Sequence, residues 1–400
     1  MKKLGLAITL YFWLVNGIAF AQTQNANPLS MKQLINEQFQ FAAAQYKLLD
    51  KNIPQGLTPQ SFDAKTGKSM NKDIQWWCSG FYAGSLWYIF EQTNDLMIKQ
   101  QAENALKVIA SNQTYTGNHD LGFMMYCSFG NAYRLTNNPE YKNIINRSAE
   151  SLFSRYRPSI KAIQSWNKNK YWECPVIVDN MMNLEMLNWV SDNGGDPKYK
   201  KTSIIHANTT LANHFRPDFS SYHVVDYDLN TGKVIKKATW QGAANSSAWA
   251  RGQAWALYGY TMMYRFTKDA IYLKQANGIA KFILNHPNLP SDKIPYWDFD
   301  APFMPEAKRD ASAGAIMASA LLELAQYAQK ADKITYKTAA ETIINSLSSD
   351  KYRAKQGENG GFLLMHSTGA YPLNSEIDVP LIYADYYFLE ALMRYKNWYL

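Results

Sequence analysis

Two aspartates stand where a carboxyl group could do chemistry. Asp120 lies in GNHDLGFMMYCSFG and Asp179 in CPVIVDNMMNLEML, each at the start of an apolar stretch with helical spacing. A carboxylate in that place can cap a helix by accepting backbone N–H groups. It can also stand at the mouth of a helical ring among Met, Leu and aromatic side chains. Desolvation there favours the protonated form, as a general acid requires. Both readings are open at the level of sequence.

A second cluster, HANTTLANHFRPDFSSYHVVDYD, carries His206, His214, Arg216 and His223. His206 and His214 are eight apart and can share a helix face, but the segment lacks H-E-x-x-H or another metal signature, so structural hydrogen bonding is the plainer reading and no metal site is expected. A third cluster is WQGAANSSAWARGQAWALYGY, where Arg251 and Trp255 are four apart and fall on one helix face. A guanidinium can hold a carboxylate through paired hydrogen bonds while an indole gives an apolar platform; ordinary packing is the alternative. Cys78, Cys127 and Cys174 are too few and scattered for a disulfide framework and lack metal-site spacing, so packing is their expected role.

The elements that must position these residues are helices. Ser30 can cap MKQLINEQFQFAAAQYKLL, and similar periodic stretches lie near 79–93, 96–109, 119–135, 141–154, 179–191, 197–213, 247–266, 270–284, 310–329, 335–348 and 377–397. About a dozen helices with broad apolar faces, separated by loops such as NNPE at 137–140, fit an all-α ring of helical hairpins. The main interruption runs from Ser220 to Gln241 and reads as a hairpin turning at Asn230-Thr231-Gly232, placed to cover the mouth of the ring. No low-complexity linker divides the chain.

The first residues, MKKLGLAITLYFWLVNGIAFAQTQ, combine two lysines, an apolar run and small residues at Ala19 and Ala21. They read as a secretory signal over 1–21 followed by a single domain over 22–400, with a periplasmic or secreted destination. Beyond the signal no run approaches the roughly 20 apolar residues of a membrane span, so no membrane anchor is expected. The formal charge of +8 falls to +6 when Lys2 and Lys3 leave. With its lysines dispersed the chain can favour an anionic substrate, without the basic block that nucleic acid would call for. Trp 12, Tyr 27 and Phe 18 against a charged fraction of 18% provide packing and a few rings for a sugar cleft.

Taken in order, WWCSGFYAGSLW at 76–87, NHDLGF at 118–123, VDNMMNLEML at 178–187, the His206-to-His223 segment, SSAWARGQAWALYGY at 246–260, IPYWDFDAP at 294–302, RDASAGAIMASAL at 309–321 and SEIDVPLIYADYYFLEAL at 375–392 resemble the unsaturated glucuronyl hydrolases, glycoside hydrolase family 88. The resemblance spans essentially all of the chain after the signal. It implies an (α/α)6 barrel that removes a terminal 4,5-unsaturated uronic acid from lyase-produced oligosaccharides by hydrating the enol-ether double bond. It implies Asp179 as general acid and base, and Asp120 as the residue that holds the substrate ring and adjusts the charge of the pair. Trp77, His206, His223, Arg251 and Trp255 resemble substrate-binding residues, with Gln253 and Trp166 as further neighbours. No metal or other cofactor is implied.

Two other functions fit parts of the pattern. An unsaturated rhamnogalacturonyl hydrolase would keep the barrel and the hydration chemistry, and a noncatalytic carbohydrate-binding protein would keep the aromatic cleft. The parent polysaccharide is open among chondroitin, hyaluronan, heparin and ulvan, and monomer and homodimer are both compatible with the sequence.

Overall fold

The computed structural model describes residues 29–400. The signal segment expected at 1–21 lies outside the described residues. Helix α1 (Met31–Lys51) starts with a reciprocal cap: the Ser30 side chain accepts from Gln33 N–H, and the Gln33 side chain accepts from Ser30 N–H. Eleven further α-helices follow among the described residues: α2 (Phe81–Thr93), α3 (Leu96–Ile109), α4 (Asn131–Thr136), α5 (Pro139–Phe153), α6 (Asn180–Asp192), α7 (Lys198–Asn213), α8 (Ala250–Thr267), α9 (Ala270–Asn285), α10 (Ala311–Tyr327), α11 (Lys330–Leu347) and α12 (Ile382–Tyr399).

Their side chains sort them into two layers. Every residue of α10 from Ala311 to Ala325 is buried, as its Ala-, Gly- and Ser-rich sequence allows neighbours on all sides. Its hairpin partner α11 buries a single stripe, Tyr336, Ala339, Ala340, Ile343, Ile344 and Leu347, which is the spacing of one helix face. The extensively buried helices α2, α6, α8, α10 and α12 form an inner ring in which α6, α8, α10 and α12 each pack on the next and α12 returns to α2; between α2 and α6 the ring is completed by the segment Gly122–Gly130, which leads into α4. Helices α3, α5, α7, α9 and α11 lie outside their preceding partners, while α1 packs against α2 and α12 and completes the sixth pair. The fold is the expected (α/α)6 toroid, closed by its first and last helices.

Short sheets fill the connections: β1 (Thr58–Asp63) with β2 (Lys68–Lys72), β3 (Tyr156–Arg157) with β4 (Ala162–Ile163), β5 (Pro175–Ile177) with β6 (Val224–Tyr227) and β7 (Val234–Ala238), and β8 (Ser367–Ala370) with β9 (Ser375–Val379), all antiparallel. The hairpin expected between 220 and 241 is β6–β7. Its turn is held by the Asp228 carboxylate, which accepts from Asn230 and Thr231 N–H, and by Gly232 at φ +71°. The third strand, β5, pairs Val176 with Val225 and leads straight into Asp179.

Several helix boundaries differ from the periodicity; α11, expected from 335, already begins at Lys330. The helix expected from 377 begins at Ile382, because Glu376 and Asp378 take left-handed φ values of +56° and +60° within β9. The helix expected from 119 opens as a wide π-type coil over Gly122–Gly130 before α4. Gly122 permits this close approach: a Cβ there would lie 2.5 Å from Asn183 Cα, in α6. No helix of the described residues is long and apolar enough to cross a membrane.

Candidate active site

The N-terminal ends of the six inner helices meet at one mouth. Trp77 precedes α2, Asp120 precedes the π-type coil, Asp179 precedes α6, Arg251 lies in the first turn of α8, Asp310 precedes α10 and Tyr383 lies in the first turn of α12. Helix dipoles converge there with their positive ends, an environment that favours an anionic ligand.

Asp179 occupies the position before α6 but does not cap it. Its backbone is already helical (φ −56°, ψ −28°), its side chain makes no capping hydrogen bond, and its buried Oδ2 has no hydrogen-bonding partner among the described residues. With 13% of the side chain exposed, the carboxyl faces the mouth. Burial pushes its pKa up to about 7; the charge of Arg251 opposes this and that of Asp120 adds to it. Asp120 is also raised to about 7, by burial, with Arg155 pulling the other way. Its N–H donates to Asn118 Oδ1 at 2.9 Å, and its Oδ1 lies 3.3 Å from His119 Nε2.

A third carboxyl raised to about 7 is structural. Asp385 accepts from Leu363 N–H, Leu364 N–H and the Tyr46 hydroxyl, so its oxygens serve the barrel wall. What distinguishes Asp179 is a shifted acid together with an unspent oxygen at the mouth.

His223 has a defined tautomer. Its Nδ1 accepts from Trp240 N–H at 3.2 Å and Gln241 N–H at 3.3 Å, which places the proton on Nε2, 3.8 Å from Asp179 Oδ2. Burial holds His223 down to about 3, so the ring is neutral. His206, in α7, accepts from Ile163 N–H through Nδ1 at 3.0 Å and is likewise depressed to about 3 by burial. His214, at the end of α7, is buried and depressed in the same way.

Arg251 is 2% exposed, and four of its N–H groups are spent on the protein. Nη1 donates to Asp310 Oδ2 at 3.0 Å and Thr368 O at 2.6 Å, and Nη2 donates to Gly369 O at 2.6 Å and Gln241 Oε1 at 3.3 Å. The paired fork that could grip a substrate carboxylate therefore clamps β8 to α10 and turns toward Gln241. Its positive charge still reaches Asp179.

The aromatic candidates form a connected floor. Trp77 lies 4.8 Å from Tyr383 and 5.5 Å from Phe123, and Phe123 lies 5.0 Å from Trp255. Trp77 is partly exposed, whereas Trp255 is fully buried beneath it and also meets Tyr387. Gln253 is fully buried, with Oε1 accepting from Ser221 N–H at 2.7 Å, and so braces the segment that delivers His223. Trp166 pairs through its backbone with Asn118, two residues before Asp120, and its ring lies edge-on to Trp172. Sequence reading by cluster did not single out His119, Gln241, Asp310 or Tyr383. Each sits beside a residue that it did, at the same helix ends.

A different cavity, of about 410 Å³, opens at the other end of the barrel, among Tyr126, Glu185, Trp189, Arg265, Glu390 and Arg394. Its charges satisfy one another: Arg265 binds Glu185 and Glu323, and Arg394 binds Glu323 and Glu390. Arginines at the C-terminal ends of helices complement exposed carbonyls and the negative dipole end, so this network closes the barrel structurally.

No family model matches the chain. Along 99% of its length, however, it is 42% identical to the unsaturated glucuronyl hydrolase of Formosa agariphila, of which the match also covers 99%. The chain belongs to the unsaturated glucuronyl hydrolases.

Solved structures agree with this assignment to the family-88 glycoside hydrolases. An unsaturated glucuronyl hydrolase specific for heparin superimposes with a TM-score of 0.88 at 45% identity, covering 91% of this chain and 97% of that one. A variant of the unsaturated glucuronyl hydrolase from Streptococcus agalactiae, complexed with dGlcA-GalNAc6S, gives a TM-score of 0.79 at 28% identity over 94% of this chain and 95% of that one. The mouth that joins Asp120 and Asp179 is the candidate site for that chemistry.

Proposed function

We propose that this hydrolase removes a terminal 4,5-unsaturated uronic acid from glycosaminoglycan-derived oligosaccharides, with Asp179 as its proton-transfer group. The observation that supports this most strongly is the unspent, buried Oδ2 of Asp179 in a carboxyl raised to about 7, beside a second raised acid, Asp120.

The substrate's C4–C5 double bond is conjugated to the ring oxygen. Asp179 donates its proton to C4, the π electrons form the new C–H bond, and positive charge develops at C5 with help from the ring oxygen. The resulting carboxylate takes a proton from water as the water oxygen bonds to C5. The C5 hemiketal then breaks its bond to the ring oxygen, leaving a ketone at C5 and a hemiacetal at C1. Collapse of that hemiacetal gives an aldehyde and frees the neighbouring sugar. The Nε2–H of His223 faces the carboxylate formed in the first step, and Asp120 holds the ring in register. Trp77 offers the exposed apolar face, while Arg251 acts through its charge and the β8–β9 hairpin it fixes.

The two shared acids give one protonated group at neutral pH and so allow the same carboxyl to serve as acid and then base. Export after Ala21 as a single domain over 22–400 to the periplasm completes the reading, since lyase products of large polysaccharides form outside the cytoplasm. Incubation with unsaturated disaccharides from heparin, chondroitin and rhamnogalacturonan tests it. Loss of enol-ether absorbance with the glucuronyl substrates is expected, and loss confined to the rhamnogalacturonan product would overturn it.

A further inference from the structure

The segment IPYWDFDAP holds a carboxyl group that the chemistry above leaves unused. Asp298 is fully buried on the connection between α9 and α10. Its Oδ2 accepts from Ala243 N–H at 2.8 Å and from the Ser247 hydroxyl at 2.7 Å, while Oδ1 accepts from Asp300 N–H at 2.9 Å. Gly242 permits this approach, because a Cβ there would stand 3.0 Å from Oδ2. A buried carboxyl that takes two donors from one loop fixes that loop, since a buried donor left unpaired costs free energy.

That loop, residues 239–247, contains no helix or strand, and 243–246 are exposed. Arg216 holds its far end, donating to Asn245 O at 2.7 Å and Ser247 O at 3.3 Å. Asp298 holds it at Ala243, two residues after Gln241. The N–H groups of Trp240 and Gln241 are the donors that fix Nδ1 of His223, and Gln241 Oε1 also meets Arg251. A second path joins the same residues: Asp298 pairs through its backbone with Trp249, whose indole lies 4.4 Å from the His223 ring. Two supports of that ring therefore lead back to Asp298.

We infer that Asp298 is a positioning residue for the hydration reaction, acting through the Trp240–Gln241 backbone to keep the ring proton of His223 on Nε2, the nitrogen 3.8 Å from Asp179 Oδ2. The inference rests on the mechanism proposed above and adds a residue to it. Without the Asp298 carboxyl the loop relaxes, the two N–H groups withdraw from Nδ1, and the ring gains access to the tautomer protonated there. Nε2 then presents a lone pair to Asp179 in place of a proton, against the negative charge that Asp179 acquires in the first step. The apolar face of Trp77 lies outside this chain of contacts, so the effect falls on turnover and spares substrate binding.

The test compares wild type with Asp298→Ala, which removes the anchor, and Ser247→Ala, which removes one hydrogen bond to Oδ2 and leaves the buried carboxyl in place. For each, kcat per folded molecule and KM are measured on an unsaturated disaccharide. Nitrogen magnetic resonance of protein labelled at histidine reads the tautomer of His223, whose signals are identified by their loss in His223→Gln. Wild type is expected to show a protonated Nε2 and a bare Nδ1. In Asp298→Ala the two nitrogen signals should move toward each other and kcat should fall at least about tenfold, with KM within about threefold of wild type. Ser247→Ala should shift both readouts in the same direction by less, and it carries the test alone if Asp298→Ala does not fold. A purely structural role leaves the nitrogen signals in place. Unchanged signals, or moved signals with kcat within about twofold of wild type, overturn the role of Asp298. Absence of turnover by wild type overturns the underlying activity, and this inference with it.

Discussion

Nε2 of His223, which carries the ring proton, lies 3.8 Å from Oδ2 of Asp179, and the two backbone donors on Nδ1 prevent the ring from adopting the other tautomer. Burial keeps this imidazole neutral, so it does not compete for the proton of Asp179 at neutral pH. On the mechanism proposed above, Asp179 changes charge during turnover and His223 does not.

Replacing Asp179 by Asn removes the proton donor while preserving volume. General acid–base groups contribute roughly 10²–10⁴-fold, so a fall in kcat of at least that size is expected with an unchanged circular dichroism spectrum. Comparable turnover in a folded variant would exclude Asp179 from proton transfer.

The pH profile follows from the direction of the shift. On the proposed mechanism the protonated form of Asp179 begins the reaction, and it is lost as pH rises through about 7. The alkaline limb of kcat/KM should therefore fall near pH 7, well above an ordinary aspartate. Because Asp120 adds to the shift, Asp120→Asn should move that limb to lower pH in addition to reducing the rate. The two acids titrate as a pair, so the limb belongs to both. An alkaline limb that stays in place in Asp120→Asn would refute the coupling.

Arg251 carries a stability prediction as well as a kinetic one. Removing it as Arg251→Met leaves Asp310 buried at 0% exposure without its cation and frees the carbonyls of Thr368 and Gly369. Breaking one side of a buried pair costs about 3–5 kcal/mol, which urea unfolding can measure. A loss below about 1 kcal/mol would mean that the clamp on β8 contributes little beyond a surface ion pair.

Gly122 sets the spacing between the chain segments that deliver the two acids. A methyl group there meets Asn183 Cα at 2.5 Å, so Gly122→Ala must separate the π-type coil from α6. Overpacking of this kind costs about 1–3 kcal/mol, and activity should fall more steeply than stability, because catalytic geometry tolerates less displacement than folding. Wild-type kcat/KM in this variant would show that the separation of Asp120 and Asp179 is not held by the contact.

Much of this architecture was legible in periodicity. The dozen periodic stretches mark the helices of the ring before any coordinates, and the Asn230-Thr231-Gly232 turn marks the β6–β7 hairpin. Local pattern could not reveal that Ser375–Val379 is a strand, since its pairing partner β8 supplies the reason, nor that β5 would join the hairpin and aim Asp179. Capping was a sound expectation for Asp179 by frequency, yet the residue already has helical dihedrals and its carboxyl is left free. Arg251 shows the converse: its spacing from Trp255 marked the right helix face, but the acceptors that fill its fork come from Asp310, Thr368 and Gly369, far away in sequence.

The most direct test of proton delivery by Asp179 followed by hydration at C5 is turnover of an unsaturated disaccharide in heavy water, with the product followed by nuclear magnetic resonance. Enzymatic protonation predicts a single deuterium at C4, placed on one face, with loss of the double bond keeping pace with release of the neighbouring sugar and both abolished in Asp179→Asn. Sugar release that precedes loss of the double bond would show direct displacement at the glycosidic carbon and contradict the account.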